Sequence, residues 1–248
     1  MSKKPLRIIP VSMDSKWADA EANCQAIESR IKSDEIAEGS VFVFPELTLT
    51  GFVLDEPEKS ALALDAEVIQ KIKALAKAQK CAIVFGFIEQ NLSQPTRPYN
   101  ALLMVGPEGQ VLAHYRKNHL FTLGQPCEAY LYSPGPSLVV TEFQGWRLGF
   151  AICFDLRFPE MYQHYRKMGV EAIILPACWV DGPHKEYQFK TLSSAQAILS
   201  HAYFVSVNRS GEDKSFKYSG SHYAFASTGE SLTLDVRGAY LLSPRTKS

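Results

Sequence analysis

The chain has 248 residues, with 26 Lys plus Arg against 26 Asp plus Glu; 46% of its residues are apolar and 21% charged. A formal net charge of zero argues against a general nucleic-acid or anionic-membrane binder, which would carry a basic excess. The apolar fraction suits a folded protein rather than a disordered one, and the length allows a real hydrophobic core.

Leu6–Val11 reads as a first strand. It is interrupted by Arg7 and too short for a secretion signal, so a cytoplasmic protein is expected. Residues 18–37 carry Ala22, Ala26, Ile27 and Ile31 at helical spacing, with Gly39 as a stop. Val41–Phe44 is a continuous apolar run, as in a strand covered on both faces. Asp65–Lys80 repeats the helical pattern through Val68, Ile69, Ile72, Leu75 and Ala76. Ala82–Ile88 and Ala101–Val105 read as strands, and Pro107-Glu108-Gly109 turns the chain into Val111–Tyr115. Gln144-Gly145 separates a second hairpin, Ser137–Phe143 and Arg147–Ile152. Pro159–Met168 is helical, with Pro in its first turn and Gly169 after its end. Ala172–Leu175, Tyr203–Val207 and His222–Ala226 are strands, and Glu186–Ser200 is a helix. No run reaches the length of a membrane-spanning helix. No linker or repeat divides the chain, so one domain over residues 1–248 is expected. Two sheets stacked face to face with helices outside would hide these strands; a doubly wound single sheet is the alternative.

Three segments place reactive side chains at strand ends. They are Phe44-Pro45-Glu46, Tyr115-Arg116-Lys117-Asn118-His119-Leu120-Phe121, and Cys153-Phe154-Asp155-Leu156-Arg157-Phe158-Pro159-Glu160. A nucleophile on a sharp turn after a strand faces free backbone N–H groups, which hold a developing oxyanion. Taken singly, each residue has an ordinary reading: Glu46 as a solvated loop residue, Lys117 as a surface charge, Cys153 as a small buried hydrophobe. The five cysteines lack any Cys-x-x-Cys, so reduced core thiols are expected and a zinc knuckle is not.

Together the three segments, in this order, resemble the carbon–nitrogen hydrolase (nitrilase) superfamily. Glu46, Lys117 and Cys153 fall on the family's Glu–Lys–Cys triad. Glu128, in Glu128-x-x-x-Tyr132-x-Pro134-Gly135, falls where the family has a further active-site glutamate. The resemblance implies an α/β fold, a four-layer αββα sandwich, usually as a homodimer. It implies an omega-amidase-like hydrolase that cleaves a small amide to a carboxylic acid and ammonia through a cysteine thioester, with no cofactor and no metal. N-carbamoyl amidohydrolase, deaminated-glutathione amidase and nitrilase chemistry share that triad, and a non-catalytic binding protein keeping the fold is the reading from another class.

In this reading Lys117 lowers the Cys153 pKa and Glu46 is the general base. Lys117 and the Phe154 N–H form the oxyanion hole, and Glu128 orients Lys117. Phe52, Cys178 and Trp179 are candidate pocket walls, with core packing the alternative for each. Arg157 and Glu160 are expected to pair or to support the cysteine turn, with direct substrate contact a further reading for Arg157, and His119 is expected to be structural. The family's Arg-Ala-x-Glu-Asn stretch stands here as Gln196-Ala197-Ile198-Leu199-Ser200, which predicts altered local packing.

Overall fold

The computed structural model describes residues 3–35, 38–122 and 127–244. Six strands form one sheet: β1 (Leu6–Pro10), β2 (Val41–Val43), β3 (Ala82–Glu89), β4 (Tyr99–Val105), β5 (Val111–Arg116) and, from the far end of the chain, Tyr240–Leu242. A second sheet holds β6 (Val140–Phe143), β7 (Trp146–Phe150), β8 (Ala172–Ala177), β9 (Tyr203–Asn208) and His222–Phe225. β10 (Ser210–Glu212) and β11 (Lys217–Ser219) make a small hairpin, which leaves β12 for His222–Phe225 and β13 for Tyr240–Leu242. The sheet orders are β13-β1-β2-β3-β4-β5 and β12-β9-β8-β7-β6. In each, three consecutive strands are parallel, β1-β2-β3 and β7-β8-β9, and the flanking strands are antiparallel. The helices are α1 (Ala20–Lys32), α2 (Glu67–Ala78), the single turn α3 (Glu128–Leu131), α4 (Pro159–Lys167) and α5 (Lys185–Ser200).

Alternation along the strands builds the layers. Ile8, Val41, Val43, Val84, Leu102 and Met104 point from the first sheet into a core shared with Leu148, Phe150, Ile174 and Val205 of the second. Their neighbours Ile9, Phe42, Ile83, Phe85 and Leu103 face the other way, onto Ile27 and Ile31 of α1 and Ile69 and Ile72 of α2. Tyr162 and Tyr165 of α4 and Phe189 and Ala197 of α5 cover the second sheet. The result is four layers, helix–sheet–sheet–helix. Two buried sheet faces explain why the central strands read as unbroken apolar runs.

Most expected elements are present with shifted ends. The first helix stops at Lys32, and positions 36 and 37 of its expected range lie outside the described residues. The strand expected from Ser137 starts at Val140. β10, β11, β13 and α3 carried no periodic signal, being too short to show one. Among the described residues no helix is long and apolar enough to cross a membrane.

Two glycines let separate strands deliver their loops to one place. At Gly86 in β3, an added Cβ would lie 2.3 Å from the Leu47 amide nitrogen, so the turn after β2 rests directly on this backbone. At Gly135 it would lie 2.1 Å from the Arg116 carbonyl oxygen. Close approach there lets the Gly135 N–H donate to the Lys117 carbonyl at 2.7 Å. Gly86→Ala is expected to destabilise the fold by about 3 kcal/mol, because its clash is with backbone rather than a mobile side chain. Urea denaturation checks this; an unchanged midpoint would show that the Leu47 turn moves aside freely.

Candidate active site

Glu46 sits in the turn after β2. The strand direction persists through Phe44, whose N–H donates to the Val84 carbonyl at 2.9 Å. The chain then reverses sharply, with Leu47 at φ +49° and the Thr48 hydroxyl donating to the Pro45 carbonyl at 2.5 Å. Lys117 follows β5 directly, and its N–H donates to the Asn100 carbonyl at 2.8 Å. Glu128 opens α3, where its carboxylate accepts the Phe121 N–H at 2.8 Å. All three side chains are buried, at 1% exposure or less.

Burial of three charges demands mutual satisfaction. The Lys117 ammonium donates to Glu46 Oε1 and to Glu128 Oε2, both at 2.8 Å. Asn100 Nδ2 donates to Glu46 Oε1 and Glu128 Oε1, both at 2.7 Å. The Cys178 N–H donates to Glu46 Oε2 at 2.6 Å, and the Cys178 thiol to the Glu46 carbonyl at 3.3 Å. Burial alone would push the Lys117 ammonium down, but the charges of Glu128 and Glu46 outweigh it and hold it well above its ordinary value. Burial pushes Glu128 up, against the pull of Lys117.

Cys153 begins a one-turn 3-10 helix, Cys153–Arg157, three residues after β7 ends. Its φ of +44° is a strained conformation for a residue with a side chain. Asp155 holds the strain in place. Its carboxylate accepts the Ile152 N–H at 2.8 Å, the Tyr115 hydroxyl at 2.8 Å and the His119 N–H at 2.9 Å, and it pairs with His119 Nδ1 at 2.8 Å. The His119 ring stacks on Phe158 with centroids 3.8 Å apart, the supporting role expected of it. Asp155 therefore ties the cysteine turn to the segment that carries Lys117. Gln196, standing where the family pattern has an arginine, adds a bond from its amide to the Leu156 carbonyl at 3.0 Å.

Glu46, Lys117 and Cys153 line one cavity of about 50 Å³. Phe52, Phe121, Phe154, Cys178, Trp179 and Val180 supply the rest of its inner wall, and Arg157 and Lys185 also border it. All three wall residues expected from the sequence thus reach the cavity. Phe154 follows Cys153 at the start of the 3-10 turn, where backbone N–H groups lack partners within the turn.

One expectation needs correction, and a second holds only in part. Arg157 does not pair with Glu160: its guanidinium donates to the Gln188 side chain at 2.8 Å and lies 4.9 Å above the Trp179 ring. Lys117 does pull the Cys153 thiol down, as expected, but it is not the largest influence there. Burial and the nearby Glu46 charge outweigh that cation and push the thiol well above its ordinary value. Asn100 and Asp155 were not singled out in the sequence. Asn100 lies at the edge of a strand and Asp155 within a motif read for its cysteine; only their contacts show that both hold charged or strained groups. All five cysteines are free thiols. Among the described residues, no cluster of three or more His, Cys, Asp or Glu is placed to hold a metal.

Known proteins agree with this architecture. An omega-amidase, YafV, of Yersinia enterocolitica is 32% identical over 222 residues, covering 90% of this chain and 78% of that protein. A 2-oxoglutaramate amidase of Paenarthrobacter nicotinovorans is 30% identical over 205 residues, covering 79% of this chain and 68% of that protein. The crystal structure of a CN-hydrolase superfamily protein from Xanthomonas campestris, with an arsenic adduct in its active site, superposes with a TM-score of 0.85. It is 25% identical, with 96% of this chain and 91% of that one covered. The carbon-nitrogen hydrolase family model matches residues 9–238. With the model spanning nearly all of the sequence and the layered fold agreeing, the chain belongs to the carbon–nitrogen hydrolase family.

Proposed function

We propose that this chain is an amidase that hydrolyses the amide of a small dicarboxylate monoamide to the acid and ammonia, with Glu46, Lys117 and Cys153 as its catalytic triad in one domain over residues 1–248. The observation that carries the reading is the meeting of a thiol, a buried ammonium and a buried carboxylate on one cavity. The omega-amidase and 2-oxoglutaramate amidase relatives support the substrate class. So does Arg157, a cation in the cavity wall that pairs with no carboxylate among the described residues and is free to meet an acidic substrate end.

Attack begins with the Cys153 proton passing to Glu46 while sulfur bonds to the amide carbon. Because the thiol sits high, transfer and attack run together rather than from a preformed thiolate. Lys117 has three ammonium protons and gives two to Glu46 and Glu128. Its third, with the Phe154 N–H, stabilises the tetrahedral oxyanion. As the carbon–nitrogen bond breaks, Glu46 returns its proton to the nitrogen and ammonia leaves. Glu46 then takes a proton from water, whose oxygen attacks the thioester. Collapse breaks the carbon–sulfur bond and restores the thiol. Glu128 holds Lys117 in line throughout. The cycle consumes one water and needs no cofactor. We place the enzyme in the cytoplasm, where a thiol nucleophile stays reduced. Tyr187, Ile198 and Leu199, exposed along α5, support the expected homodimer.

Three outcomes test this reading. Mass spectrometry after mixing with 2-oxoglutaramate should trap an acyl adduct on Cys153, and Cys153→Ala should lose it with all turnover; turnover surviving in that variant would refute the mechanism. A dicarboxylate monoamide should exceed the neutral amide of equal length in kcat/KM by at least about tenfold, since its second carboxylate meets Arg157. Equal values would overturn the substrate class. Glu46→Gln should lower kcat by about 100-fold to 10,000-fold. Raising the pH to about 9, near an ordinary thiol's midpoint, should not restore it, because burial, the largest influence on the thiol, persists when the Glu46 charge is gone and still outweighs the pull of Lys117. Recovery at that pH in a pH–rate profile would show the base to be dispensable.

A further inference from the structure

Glu46 and Glu128 are two buried carboxylates that meet at one hydrogen-bond donor. One atom, Asn100 Nδ2, lies 2.7 Å from an oxygen of each, so those two oxygens are at most twice that distance apart. Two carboxylates so placed tend to share a proton, which removes one of them as a base. Lys117 supplies one positive charge against the two negative ones. The cation alone leaves the pair one negative charge in excess.

The remaining restraint comes from hydrogen-bond bookkeeping. A carboxylate offers about four acceptor sites, two on each oxygen. Glu46 Oε1 is filled by Lys117 and Asn100, and Oε2 takes the Cys178 N–H, which leaves one site, on Oε2. Glu128 Oε2 is filled by Lys117 and the Phe121 N–H, and Oε1 takes Asn100. The Asn100 amide can face only one way: reversed, its oxygen would meet two carboxylates. Its own Oδ1 is buried without a partner, so the side chain gives up an acceptor's hydrogen bond to keep both N–H groups on the carboxylates. Asn100 is also tied to the cation through the backbone, since its carbonyl accepts the Lys117 N–H.

We propose that Asn100 is a positioning residue that stops Glu46 and Glu128 from sharing a proton and so leaves Glu46 Oε2 as the atom that takes the Cys153 proton. This rests on the mechanism proposed above. Among the described residues, the other ionisable groups around the pair come from separate elements. Lys117 enters from the end of β5, Cys153 from the turn after β7 and Cys178 from the end of β8. Tyr132, after α3, directs its hydroxyl to the Val53 carbonyl at 2.6 Å, and burial holds it neutral. Arg157 and Lys185 border the cavity beyond them.

The test reads the base without requiring amide turnover. Chloroacetamide alkylates Cys153: sulfur bonds to the methylene carbon, chloride leaves, and the thiol proton passes to Glu46. The rate at Cys153 is followed by mass spectrometry from pH 4 to 9 in the wild type, Asn100→Asp and Asn100→Ala. Asn100→Asp keeps the shape and adds a third carboxylate; Asn100→Ala removes both donors. Both should move the midpoint of the acid limb to higher pH, by at least about one unit in Asn100→Asp. At pH 6 that corresponds to alkylation slowed by about tenfold, with the alkaline plateau largely retained. A purely structural role would lower the melting temperature and leave the limb in place. Limbs that superimpose on the wild type in both variants would overturn the proposal. If no amide is hydrolysed by the wild type but the limb still moves, the function reading fails and the role of Asn100 stands.

Discussion

The architecture depends on one buried cation held between two buried carboxylates. Lys117, Glu46 and Glu128 come from three separate segments, and each is excluded from water. Removing Lys117 leaves two carboxylates uncompensated in a low-dielectric interior, a loss of about 3–5 kcal/mol. The three groups therefore impose a common position on the turn after β2, the end of β5 and the start of α3. In the mechanism we propose, the same arrangement leaves one ammonium proton of Lys117 for a developing oxyanion.

The place of the site follows from the sheets. Glu46 lies just beyond the carboxyl end of β2, Cys153 beyond that of β7, and Cys178 beyond that of β8. β2 and β7 belong to different sheets, so packing the sheets face to face brings two sets of strand ends to one rim. Crevices at the carboxyl ends of parallel strands are where α/β folds bind ligands. Two tight backbone reversals, at Leu47 and Cys153, turn the side chains inward there instead of letting the chain run on to solvent. Asp155 secures one reversal and Gly86 makes room for the other.

Burial and a nearby carboxylate push the Cys153 thiol above its ordinary value against the pull of Lys117, and that carboxylate is itself gripped by three donors. The aromatic and aliphatic walls around it keep water out and strengthen each polar contact within.

The sequence by itself marked most strands and helices, and its resemblance to a family pointed to the four layers and to three candidate catalytic residues. Apolar runs marked the central strands, helical spacing marked α1 and α2, a proline and a glycine at its two ends marked α4, and three motifs in order singled out Glu46, Lys117 and Cys153. These signals are local: a strand buried on both faces must be apolar wherever it lies, and a motif is read from neighbours in the chain. Tertiary structure alone decided the rest. The three-residue β13 exists because β1 offers it an edge, and nothing in Tyr240–Leu242 announces a partner more than two hundred residues away. Arg157 found Gln188 rather than Glu160 because side-chain partners are chosen in space. The thiol's protonation and the bridging place of Asn100 are sums over charges and donors from five distant segments, and such sums exist only after folding has set the distances.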